Sequence, residues 1–336
     1  MSARIAVVTG GTAGLGRATA RALAEDGWDV AVLARGADGL AATLAEIEAS
    51  GRRGLAIATD VADREAVESA AARVEAELGP IDLWVNNAMV GVFGTFLDTD
   101  PDDFRRATDV TYFGVVNGTR AALSRMVPRD RGHVIQIGSA LAHRGIPLQA
   151  GYCGAKHAIK GFTESVVAEL THEGSAVAIS MVDMPALNTI QFSWVKSKLD
   201  AHPQPVPTIF EPEAGARAVV QVARTPRRRT WVGEPTVMTV LGNMFLPRFM
   251  DWYLSKAAWD GQFAPDKDGP RLPENLYEPA PGDHGARGAF SDRAKEDSVQ
   301  LWGIRNRRLA AGAGAALGAA LGAGAAALAV GLLRRR

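Results

Sequence analysis

The chain has 336 residues, enough for one large α/β domain with extensions or for two smaller domains. Its 37 basic and 37 acidic side chains cancel, so no global positive field gathers phosphates and no nucleic-acid partner is expected. The single cysteine, Cys153, cannot close an intrachain disulfide, and the 6 histidines form no ligand spacing with it, so no metal is expected. Residues 1–10 reach a glycine turn without the charged and apolar regions of a secretory signal, which places the main domain in the cytoplasm as an expectation.

Short aliphatic or β-branched runs alternate with Ala/Glu/Arg-rich stretches of helical period as far as Val232. Strands are predicted near residues 5–8, 30–34, 55–58, 83–86, 134–137, 177–181 and 230–232. Such near-continuous apolar runs imply burial on both faces, hence a parallel sheet with helices on each side. The expected fold is α/β, a Rossmann-like doubly wound parallel sheet of about seven strands, formed by residues 1–235. Ligands of such sheets bind beyond the carboxyl ends of the strands, so the residues just after each strand are where chemistry is sought.

The first strand runs into Thr9-Gly10-Gly11-Thr12-Ala13-Gly14-Leu15-Gly16, where a helical pattern begins. Glycines there allow a tight turn, let the backbone approach a pyrophosphate, and aim helix N-terminal N–H groups at it. Ser139 follows the fifth strand, and Tyr152 and Lys156 lie at i and i+4 on the next helix. That spacing puts an ammonium beside a phenol, where a cation lowers the phenol pKa from about 10 and makes it a better proton carrier. A Tyr-x-x-x-Lys pair alone is weak, since such pairs decorate many exposed helices. Its position thirteen residues after a strand-end serine, behind the glycine loop, gives it weight. Cys153 reads as a packing residue, with no histidine spaced to activate it.

In this order the motifs resemble the short-chain dehydrogenase/reductase family, over roughly residues 4–232. The resemblance implies a nicotinamide dinucleotide on Gly10, Thr12, Gly14, Leu15 and Gly16, with its adenine beside Asp60 and Val61. Asn86-Asn87-Ala88 matches the family's Asn-Asn-Ala-Gly, with Met89 in place of the glycine, and implies that Asn86 ties strands together while Asn87 and Ala88 wall the cofactor ribose. An acidic residue ending the second strand would favour NAD. Here Leu33-Ala34-Arg35 supplies a guanidinium instead, which fits the 2′-phosphate of NADP(H). Ser139, Tyr152 and Lys156 match the family's substrate-holding, proton-exchanging and ribose-binding positions, and Leu187 and Thr189 match its nicotinamide loop. Thr111 replaces an asparagine that in the family distorts its helix and helps hold a relay water. The implied activity is hydride transfer between NADP(H) and a small-molecule carbonyl or secondary alcohol. The aromatic stretch that includes Phe192 and Trp194 suggests an apolar substrate. The competing reading is a membrane-tethered NADP-binding protein with little turnover.

Beyond the sheet, residues 236–262 form an apolar, aromatic segment interrupted by Pro247, expected to be helical. Residues 263–308 are too rich in Pro and Gly for regular elements and read as a linker or as a strap over the surface. Residues 309–333 contain only Ala, Gly, Leu and Val between arginines. At 1.5 Å per residue they exceed the ~30 Å of a bilayer core and form a candidate transmembrane helix, anchoring a cytoplasmic catalytic domain. The alternative is a soluble helix whose leucine stripe docks on the protein or on a second subunit, giving a homo-oligomer.

Overall fold

The computed structural model describes residues 4–199, 201–264 and 272–298, together with 300, 301 and 303. Seven strands form the central sheet: β1 Arg4–Thr9, β2 Trp28–Ala34, β3 Gly54–Ala58, β4 Leu83–Asn86, β5 His133–Ser139, β6 Ala178–Met184 and β7 Arg229–Trp231. All neighbours pair in parallel, in the order β7-β6-β5-β4-β1-β2-β3. Each predicted strand is present, with β5 and β6 running two and three residues further, to Ser139 and Met184.

Helices cover both faces, which is why the strands carry apolar side chains on both sides. On one face lie α1 (Gly14–Glu25), α2 (Ala37–Ala49) and, later in the chain, the helix Pro212–Arg224, contributing Leu23, Ile47 and Val219 to one buried cluster. On the other lie α3 (Arg64–Glu77), α5 (Gly114–Met126) and α6 (Ala150–His172), contributing Val74, Met126 and Leu170 to a second. The short α4 (Pro101–Thr108) precedes α5. The strand order reverses between β1 and β4, and a crevice opens there at the carboxyl ends of the strands.

The apolar extension is two helices, Glu234–Phe245 and Pro247–Asp260. Pro247 separates them because its fixed φ suits a helix's first turn and its missing N–H cannot continue the previous one. Met238, Met244, Phe245, Phe249 and Trp252 on this pair are exposed. The Pro/Gly-rich stretch takes the strap form: Leu276 and Phe290 are buried, and the Gly288 N–H donates to the Asn188 carbonyl at 3.0 Å. The candidate transmembrane segment 309–333 lies outside the described residues, as does the apolar helix expected to end the extension. Among the described residues no helix is long and apolar enough to cross a membrane.

Candidate active site

The glycine loop is shaped by steric need. Gly10 stands at φ 64°, and a Cβ there would lie 2.7 Å from Ala88 Cα. A Cβ on Gly16 would lie 2.1 Å from the Gly10 carbonyl oxygen, so only glycine lets the first turn of α1 close onto the loop. Across the crevice the Thr9 hydroxyl accepts the N–H groups of Asn87 and Ala88 at 3.0 and 3.1 Å. The Asn87 amide donates back to the carbonyls of Thr9 and Gly10 at 3.0 and 3.1 Å. Asn86 ties β4 to β5 by donating to Gln136 at 2.9 Å while accepting from the Trp84 indole at 2.8 Å. Met89 takes an ordinary negative φ, so replacing the family glycine costs no backbone strain.

Ser139 ends β5, where its hydroxyl accepts the Leu141 N–H at 3.1 Å and hydrogen-bonds the Tyr152 phenol. Tyr152 and Lys156 share a face of α6, with the Lys156 ammonium 5.6 Å from the phenol ring centroid and donating to the Ile137 carbonyl at 2.7 Å. One expectation is corrected here. Burial, not the cation, dominates the phenol: it pushes the Tyr152 pKa up to about 12, with the Ser139 hydrogen bond opposing. Burial also pulls Lys156 down to about 8, against the field of the Asp183 carboxylate. The site therefore holds a neutral phenol near neutral pH, set to donate a proton. Cys153 is buried and its thiol is pushed up by burial, as suits a packing residue.

Two backbone features flank this pair. Residues Asp109–Phe113 form a π-helical turn between α4 and α5, so the distortion expected of an asparagine is present with Thr111. The buried Thr111 hydroxyl donates to the Val90 carbonyl at 2.8 Å and accepts the Val90 N–H at 3.1 Å, which uses its only donor on the backbone. Leu148 holds φ 66°, two residues before α6 begins, a left-handed position that no sequence signal announces.

Every residue singled out from the sequence for catalysis or dinucleotide binding lines one cavity of about 410 Å³. Thr189 packs against Gly14, where a Cβ would meet its side chain at 3.2 Å. At the substrate end the lining includes Phe93, Phe192, Trp194, Leu254 and Ala258, an apolar surface. At the other end Asp60 accepts the Ala62 N–H at 3.0 Å and pairs with Arg106, while Asp63, not Asp60, caps α3.

Arg35 lines the cavity but is not free for a phosphate. Its guanidinium donates to the main-chain carbonyls of Asn275, Leu276 and Tyr277 in the strap. Arg17, the other cation close to the loop, pairs with Glu46 at 3.0 Å and with Asp283. Sequence reasoning missed these strap partners, because main-chain acceptors carry no residue signature.

Residues 4–198 match the short chain dehydrogenase family. The chain belongs to that family. It is 33% identical over 284 residues to the uncharacterized oxidoreductase YxnA of Bacillus subtilis (strain 168), spanning 84% of this chain and 80% of that one. Among solved structures, a short-chain dehydrogenase from Streptomyces avermitilis superposes with a TM-score of 0.65 at 27% identity, over 78% of this chain and all of its own. A metagenomic short-chain oxidoreductase in complex with NADP superposes with a TM-score of 0.59 at 28% identity, over 69% of this chain and 97% of its own. The short-chain dehydrogenase chain described here is thus an oxidoreductase-family protein with a dinucleotide-binding fold.

Proposed function

We propose that this protein is an NADP(H)-dependent oxidoreductase that reduces the carbonyl of an apolar small molecule to a secondary alcohol, or runs the reverse reaction. The observation that carries the reading is the convergence of Ser139, Tyr152 and Lys156 with the glycine loop in one cavity. A dinucleotide fits the loop: Gly10 and Gly16 let it close tightly against Ala88 and the first turn of α1, and the α1 N-terminus presents N–H groups to a pyrophosphate. When bound, the cofactor supplies the hydride. Ser139 holds the substrate oxygen, Tyr152 gives it a proton from the phenol oxygen, and Lys156 orients the cofactor ribose. Arg35, once released from the strap, pairs with the 2′-phosphate.

The raised pKa keeps the phenol protonated near neutral pH, the state in which Tyr152 acts as the acid of the reductive direction. A pH dependence follows from Lys156. Its ammonium is charged below about pH 8, so reduction is expected to be level below that pH and to fall above it as the charge is lost. A kcat profile that rises through pH 9 contradicts this. The activity itself is tested by following NADPH absorbance over a panel of aldehydes and ketones. Consumption with at least one apolar ketone is expected, and neither consumption nor NADPH binding by the folded protein would refute the reading.

The membrane anchor is proposed on the composition of residues 309–333 alone. Full-length protein is expected in the membrane fraction, and protein lacking residues 305–336 in the soluble one. Equal partitioning of the two would sink the anchor.

A further inference from the structure

The strap crosses the cavity, where Asn275, Pro279, Gly282 and His284 join the lining, and Asn275 and His284 reach Trp194 at the substrate end. It places oxygen atoms on the donors that the cofactor phosphates need. Three of its carbonyls, from residues 275 to 277, take the Arg35 guanidinium. The Leu276 carbonyl also accepts from Arg106 at 3.2 Å, and the Asp283 carboxylate takes Arg17. The Gly285 carbonyl accepts the Gly14 N–H at 3.1 Å, at the first residue of α1. The Gly282 N–H in turn donates to Asp38 at 2.9 Å, tying the strap to the start of α2. The strap thus acts as a stand-in for the ligand.

We propose that residues 275–285 are a displaceable strap on the cofactor site, holding Arg35 and the α1 N-terminus until the dinucleotide takes their place. This deepens the NADP(H) reading above and rests on it. The Arg35 hydrogen bonds go to neutral carbonyls only. A phosphate offers the guanidinium two charge-assisted bonds, each roughly twice as strong as a neutral one. Exchange of carbonyls for a 2′-phosphate is therefore favourable. NAD(H) brings only hydroxyls to that position, which give the cation nothing beyond what the carbonyls already give. The cost of opening the strap falls on both dinucleotides alike, and the ratio of their affinities is set by what Arg35 gains in the exchange. Freeing Arg35 breaks its bonds to Asn275 and Leu276 as well as to Tyr277, so the exchange involves residues 275–285, held on their far side by the Gly288 N–H on the Asn188 carbonyl.

A reversible clamp tests this. A Cβ on Gly36 would lie 3.4 Å from the Pro279 Cβ, just under the ~3.5–4.5 Å range that a disulfide spans, and Cys153 is buried. The full chain carrying Gly36→Cys and Pro279→Cys is titrated with NADPH and NADH, oxidised and then reduced. The reduced form of the variant is the reference. The oxidised form is expected to lose at least ~10-fold in NADPH affinity relative to it, restored by dithiothreitol, with NADH affinity falling as well. NADPH binding that ignores the disulfide overturns the strap proposal alone. Failure of the wild-type chain to bind NADPH overturns the cofactor reading, and the strap proposal with it. Asp283→Ala, which removes the Arg17 anchor without a cross-link, provides a second arm. It is expected to tighten the binding of both dinucleotides by a similar factor. Unchanged or weakened NADPH binding overturns the proposal.

Discussion

Replacing Tyr152 with phenylalanine is expected to lower turnover ~10²- to 10⁴-fold, the usual contribution of a placed proton donor, while NADPH binding stays nearly intact. The substitution keeps the ring beside the Lys156 ammonium and removes only the hydroxyl that meets Ser139. The glycine loop and Arg35 are untouched, so the cofactor keeps its contacts. Because the phenol is held neutral by burial, its loss removes a donor and not a charge, and the fold loses one hydrogen bond, about 0.5–1.5 kcal/mol. Full turnover by the folded variant on a verified substrate would rule out Tyr152 as the proton donor.

The second large effect is expected from Arg35→Asp. The guanidinium is the proposed 2′-phosphate partner, and its replacement repels that phosphate while offering a carboxylate to the ribose hydroxyls of NAD. Losing a hydrogen bond to a charged group costs about 1.5–3 kcal/mol, so the preference between NADP(H) and NAD(H) should move ~10- to 100-fold toward NAD(H). The strap carbonyls of residues 275–277 lose their donor in the same step, which eases opening of the strap for both dinucleotides alike and leaves the shift in preference to the phosphate contact. Dissociation constants for both cofactors, measured by fluorescence on the full chain, decide it. An unchanged ratio would assign phosphate reading to another residue.

The sheet was legible because its strands are buried on both faces and therefore read as unbroken apolar runs, from residues 5–8 through 230–232. The glycine loop, Arg35, Asp60, Asn87 and Ser139 were legible for a related reason: they end or follow strands, and the fold gathers strand ends at one edge. Gly10, Gly14 and Gly16 announced themselves through the space that a Cβ would deny. What stayed hidden depends on tertiary placement. The rise of the Tyr152 pKa comes from burial, which the i, i+4 spacing with Lys156 does not report. The two-residue pairs Val92–Phe93 with Lys196–Ser197 and Ala186–Leu187 with Ile209–Phe210 are too short to show alternation. The strap has no periodicity, and it meets Arg35 through main-chain oxygens that any residue could supply. The π-helical turn at Thr111 shows that the distortion does not require the asparagine on which the sequence comparison rested.

The central claim is that hydride moves from the cofactor to a substrate carbon in the cavity that holds Ser139, Tyr152 and Lys156. The most direct measurement uses NADPH carrying deuterium at the transferable C4 position, with any carbonyl compound that the protein consumes, and reads the alcohol by mass spectrometry. One deuterium on the carbinol carbon of each alcohol formed is expected, with Tyr152→Phe forming ~10²- to 10⁴-fold less labelled alcohol in the same time. Alcohol formed without deuterium from either C4 face of the cofactor, or equal amounts of labelled alcohol from the two proteins, would contradict the account.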